Sequence, residues 1–124
     1  MTNRTMTALV VEDDLEISEV LEVLLTSIGF EVEVVRDGIH VVVVDRWYDV
    51  ILLDMKMPIF DGERLAEYWK ATQPEILERV IVLSGYSRLT AGRFPSTFAT
   101  LSKPFDHDTL VSLVQSCAAQ PRRQ

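Results

Sequence analysis

Cysteine is almost missing from the 124 residues. Cys117 stands alone, so no intrachain disulfide can form and packing must hold the fold. A single thiol fits a reducing compartment. Long apolar runs are missing as well. Val41–Val44 and Val50–Leu53 are among the longest, far short of the roughly 20 residues that span a bilayer. The N-terminal MTNRTMTALVVEDD reaches an acidic cluster with no long apolar stretch before it, so no signal peptide is expected. Basic residues are in deficit: 12 Lys and Arg against 19 Asp and Glu leave a formal charge of −7. Phosphate backbones recruit Lys and Arg, so no nucleic-acid partner is expected. These absences lead to the expectation of a cytoplasmic protein with no membrane partner. Repeats, low-complexity tracts and linkers are also lacking. The length suits one domain, expected over 1–124 with a core of about 7–118 and a frayed tail at 119–124.

What is present is a rhythm. Short apolar runs recur at Ala8–Val11, Val32–Val35, Val50–Leu53, Val80–Leu83 and Phe98–Leu101, each with the length and β-branched bias of a strand, the last more weakly. Helical periodicity fills the gaps. Leu15–Ser27 places Ile17, Val20, Leu21, Leu24 and Leu25 on one face, Asp14 is suited to cap it, and Gly29 follows as a stop. Asp61–Thr72 carries Leu65, Ala66, Tyr68 and Trp69 and ends before Pro74. Asp106 caps a last helix reaching Ala118. Alternation calls for a further helix over Gly38–Arg46, despite four β-branched residues with modest helix propensity. Gly92 and Pro95 limit Ser87–Thr97 to a short or irregular fourth helix. The expected fold is α/β: a doubly wound (βα)5 sandwich around a five-stranded parallel sheet buried on both faces.

In such a sheet the working crevice lies beyond the carboxyl ends of the strands. Those ends carry Glu12, Asp13 and Asp14 on the first strand, Asp54 on the third, Ser84 and Gly85 on the fourth, and Lys103 and Pro104 on the fifth. Clustered carboxylates repel one another and raise each other's pKa, and a hard divalent cation removes the conflict. Mg²⁺ suits an open carboxylate cluster because it keeps several waters. The chemistry then reads as phosphoryl transfer. Asp54 is the nucleophile, while Lys103 and the Ser84 hydroxyl meet the phosphoryl oxygens.

The blocks ALVVEDD, VILLDMKMPIFDG, VIVLSGYS and LSKPF resemble, in order, the motif blocks of the response-regulator receiver family, over roughly Thr7 to Ala118. The resemblance implies the strand order 2-1-3-4-5. It implies that Asp13 binds Mg²⁺ directly, that Glu12 acts mainly through water, and that Asp54 is phosphoacceptor and ligand. The main-chain carbonyl of Lys56 would be a further ligand, and Mn²⁺ could substitute. Ser84 would be the switch hydroxyl, Lys103 the family's lysine, and the Lys103–Pro104 peptide cis. The donor would be a phosphohistidine on a sensor histidine kinase or histidine phosphotransfer protein, with an unidentified downstream protein as the output partner. The chain would catalyse its own phosphorylation and dephosphorylation without being a conventional enzyme.

The pattern is broken in two places. Thr100 stands where the family usually carries Tyr or Phe, with Phe98 and Tyr86 as nearby substitutes. The interval from Ser84 to Lys103 is 19 residues, shorter than the family's usual spacing, which alters the region of the fourth helix. Lys56 and Tyr86 are expected at the rim of the site, where they would limit the approach of hydrolytic water. Trp47 and Trp69 read as packing residues, His40 and His107 as surface residues, and Cys117 as structural. Val41–Val44 cannot point wholly inward on a helix and would leave an apolar patch. Two other functions stay open. One is an adaptor that keeps the fold without the switch, which Thr100 favours. The other is a small phosphatase of haloacid-dehalogenase type. Lys56, where those enzymes need a second Asp, opposes the phosphatase.

Overall fold

The computed structural model describes residues 5–36, 46–54, 62–85 and 97–121. The helix expected over Gly38–Arg46 and the short one over Ser87–Thr97 fall almost wholly outside the described residues. So do Val41–Val44, His40, Lys56, Asp61 and Tyr86.

Five strands form one parallel sheet: β1 (Thr7–Val11), β2 (Glu31–Val35), β3 (Val50–Asp54), β4 (Val80–Ser84) and β5 (Ala99–Ser102). Their spatial order is β2-β1-β3-β4-β5, as the resemblance implied. Between them run α1 (Leu15–Ser27), α2 (Gly62–Thr72) and a 3₁₀ helix at Pro74–Arg79, and α3 (His107–Ala118) follows β5. The 3₁₀ turn was not anticipated. It starts at Pro74, whose fixed φ and missing N–H suit the first turn of a helix.

Side chains along a strand alternate between faces, and here they feed two cores. Ala8 and Val10 of β1, Val50 and Leu52 of β3, and Ile81 and Leu83 of β4 meet Leu21 and Leu25 of α1 and Leu110 and Val114 of α3. Leu9 and Val11, Ile51 and Leu53, and Val80 and Val82 face the other way, onto Leu65, Ala66 and Trp69 of α2. The central strands β3 and β4 are buried throughout, which is why their sequences are unbroken apolar runs. Edge strand β2, EVEVV, is only partly buried, with Val32 and Val34 packed on the core beneath α1 and α3 and Glu31 exposed.

The caps work as their sequences suggest. Asp14 accepts from the Ile17 N–H at 2.9 Å, and Asp106 accepts from the Thr109 N–H at 2.9 Å. At the other end of α1, Gly29 takes φ +99°, which favours glycine. Its N–H and that of Phe30 satisfy the Thr26 and Leu25 carbonyls. The inward stripe of α1 runs through Ser18, Leu21 and Leu25, rather than through Val20 as periodicity suggested. Val20 is rotated about a third of a turn from that stripe and stands 44% exposed. Trp69 is buried, Trp47 half-buried, Cys117 buried and His107 exposed, in line with the structural roles expected of them. Gln120 is tied back to the fold: its N–H donates to the Cys117 carbonyl, and its side-chain amide donates to the Glu78 carbonyl at 2.9 Å.

Candidate functional site

Parallel pairing brings the carboxyl ends of the strands to one edge of the sheet. Val11 lies opposite Leu53, Asp54 opposite Leu83, and Ser84 opposite Ser102. The residues just past those ends therefore share a cleft, and each polar candidate arrives there on a rigid strand.

Glu12 follows β1. Its N–H donates to the Val35 carbonyl at 3.1 Å, extending the β1–β2 ladder by a step and turning the side chain into the protein. Glu12 is fully buried, Asp54 and Ser84 nearly so, and Asp13 is exposed. Lys103 follows β5, held by its own N–H, which donates to the Ser84 carbonyl at 2.8 Å. Its ammonium donates to Glu12 Oε1 at 2.8 Å and Asp54 Oδ1 at 3.2 Å. The Asp14 N–H donates to the second Glu12 oxygen at 3.2 Å. The Lys103–Pro104 peptide is cis, as the resemblance implied.

Burial pushes the Glu12 carboxyl up to about 7. The negative charge of Asp54 adds to the rise, and the Lys103 hydrogen bond opposes it. Burial pulls Lys103 down, but the Glu12 hydrogen bond and the charges of Asp54 and Glu12 outweigh it, so its pKa is raised.

Carboxylate oxygens of Glu12, Asp13 and Asp54 lie within 4.8 Å of one another. Only hard oxygen donors are offered, which fits Mg²⁺ and not a thiolate- or imidazole-seeking metal. Asp14 is spent capping α1, so the set is Glu12, Asp13 and Asp54 among the described residues. Lys56 and Tyr86 lie outside them. Thr100 is exposed, whereas Phe98 is half-buried against the core beneath α1 and α3. Among the described residues, no helix is long and apolar enough to cross a membrane.

A family model for the response regulator receiver domain matches residues 8–115. Among curated proteins, the transcriptional regulatory protein ZraR of Escherichia coli O157:H7 is 32% identical over 96% of this chain, and the DNA-binding transcriptional regulator NtrC of Klebsiella pneumoniae is 33% identical over 94%. The chain spans 28% of the length of the first and 26% of the second. Among solved structures, the receiver domain of the sensor histidine kinase PA1611 from Pseudomonas aeruginosa PAO1 is 28% identical with a TM-score of 0.81, covering 94% of this chain and 100% of its own. That structure has a magnesium ion coordinated in its active site cleft. The receiver domain of the Francisella response regulator 1452 is 27% identical with a TM-score of 0.81, covering 91% and 96%. With the model match spanning nearly the whole fold and both sequence and structural relatives in agreement, the chain belongs to the response regulator receiver domain family.

Proposed function

We propose that this receiver accepts a phosphoryl group on Asp54 from a phosphohistidine and changes its protein partners when it does so. The observation that carries this reading is the meeting of the Glu12, Asp13 and Asp54 oxygens within 4.8 Å, beside the Lys103 ammonium. One Asp54 oxygen attacks phosphorus, the P–N bond breaks, and its electron pair returns to the donor imidazole. Lys103 then turns from Asp54 Oδ1 to a phosphoryl oxygen, and the Ser84 hydroxyl donates to another. A bound Mg²⁺, or Mn²⁺ in its place, supplies positive charge to the phosphoryl oxygens. Asp13 and Asp54 would hold it directly, Glu12 mainly through water, and the Lys56 main-chain carbonyl would complete the set. Attack of water on the aspartyl phosphate returns the chain to its starting state.

The phosphoryl donor is a sensor histidine kinase or a histidine phosphotransfer protein. The output is a shift between two conformations that different partners recognise. The chain acts as one domain with a core over 7–118, in the cytoplasm. Thr100 favours a second reading, an adaptor whose binding does not depend on phosphorylation, because a small exposed side chain stands where the family places its aromatic.

Incubation with acetyl phosphate and Mg²⁺, with Asp54→Asn alongside, separates the readings. A metal-dependent gain of one phosphoryl mass that is lost in Asp54→Asn supports the switch. No gain supports the adaptor.

A further inference from the structure

At the end of the sheet remote from Asp54 there is a second polar cluster that the proposed chemistry does not use. Arg79, the residue before β4, is 4% exposed. Its guanidinium donates to the main-chain carbonyls of Cys117 at 3.1 Å and Gln120 at 3.0 Å, to that of Pro121, and at 3.5 Å to that of Asp49. It lies 5.1 Å from the centroid of the Trp47 ring, a cation–π distance. The Cys117 and Gln120 carbonyls stand at the C-terminal end of α3, the negative pole of the helix dipole. A cation from a distant part of the chain thus caps that end. The Gln120 amide adds bonds to the Glu78 and Cys117 carbonyls, both at 2.9 Å.

The two ends of α3 are held by different means. The site-side end follows Lys103 and Phe105 and is closed by Asp106, an exposed side chain that accepts from Thr109. The far end is fastened by a buried cation to the entrances of β3 and β4. Freeing it would break several charge-assisted bonds together and strand a guanidinium away from water.

We propose that Arg79 is a fulcrum. It pins the C-terminal end of α3, with Gln120 and Pro121, to the entrances of β3 and β4, so that signal-dependent movement of α3 is confined to its site-side end. The confinement rests on the phosphoryl-acceptor reading of Asp54; the pinning does not.

Hydrogen exchange read by mass spectrometry on the full chain, with and without Mg²⁺ and beryllofluoride as a phosphoryl mimic, tests both parts. In the unaltered chain, beryllofluoride should change exchange over residues 103–110 and leave 114–121 unchanged. In Arg79→Met, exchange over 114–121 should rise about tenfold or more without any mimic. Arg79→Lys keeps the charge but lacks the guanidinium fork that reaches several carbonyls together, and should raise exchange there by a smaller factor; it decides the matter if Arg79→Met does not fold. Unaltered protection of 114–121 in a folded Arg79→Met, or in Arg79→Lys if that variant must decide, overturns the pinning. Loosening of 114–121 by beryllofluoride in the unaltered chain overturns the fulcrum. No response to beryllofluoride anywhere contradicts the Asp54 reading and the confinement with it, while the variants still decide the pinning.

Discussion

Lys103→Met removes the ammonium that donates to both Glu12 and Asp54. The Glu12 side chain is 1% exposed and that of Asp54 8%, against 22% for Lys103. Their carboxylate oxygens come within 4.8 Å, and above pH 7, where Glu12 is ionised, two unit charges at that separation repel by about 3.5 kcal/mol at an effective dielectric constant of 20. Lys103 offsets this at 2.8 and 3.2 Å. Methionine keeps most of the stem and its packing while deleting the charge. Removing one partner of a buried ion pair costs about 3–5 kcal/mol, and partial exposure of Lys103 places this case near the low end. A loss of about 3 kcal/mol corresponds to roughly 10 °C in Tm for a domain of this size. Mg²⁺ should offset part of it, since a ligand at 100 times its Kd stabilises the native state by about 2.7 kcal/mol. The variant should gain more from Mg²⁺ than the unaltered chain, because its carboxylates no longer have an ammonium to exchange for the cation. Urea unfolding in EDTA and in Mg²⁺ measures both effects. A variant as stable as the unaltered chain in EDTA, or one that gains less from Mg²⁺, would refute this electrostatic account of the site.

Burial pushes the Cys117 thiol up to about 12, so at pH 8 it stays protonated and covered. Iodoacetamide should label it only when denaturant unfolds the chain, and labelling of the folded protein at the rate of a free thiol would contradict the packing of α3. Leu21→Ala, at a fully buried position on α1, should cost about 3 kcal/mol, whereas Val23→Ala, 70% exposed on the same helix, should stay within about 0.5 kcal/mol. Equal costs in denaturant unfolding would mean that α1 is rotated from the orientation described.

The sequence yielded most of the frame because its signals were local. Each apolar run became a strand within a residue at either end: Val50–Leu53 extended to Asp54, and Phe98–Leu101 shifted to Ala99–Ser102. Gly29, Asp14 and Asp106 marked helix ends through their own backbone or side-chain chemistry. The strand-end polar residues Glu12, Asp54, Ser84 and Lys103 were legible because parallel strands must deliver their carboxyl ends to one edge. Glu12 is the exception in degree: nothing in ALVVEDD separates its complete burial from the exposure of Asp13 beside it, since the ladder bond to Val35 decides it. Arg79 was missed altogether. Its partners are main-chain carbonyls of Asp49, Cys117, Gln120 and Pro121, and a carbonyl carries no signature in the identity of its residue. A buried arginine in PEILERVIV reads as a polar residue ending a 3₁₀ turn until the fold brings α3 to it. The same holds for Gln120, which sits in a sequence that resembles a tail and is tied to Glu78.

Chemical trapping can say which side chain takes the phosphoryl group. Borohydride reduces an aspartyl phosphate to homoserine, leaving a permanent mark that peptide mass spectrometry assigns to one position. After treatment with acetyl phosphate, homoserine should be found at position 54 in Mg²⁺ and should vanish in EDTA. Homoserine at position 13 instead, or at none despite full occupancy by Mg²⁺, would contradict the assignment of Asp54 as the acceptor.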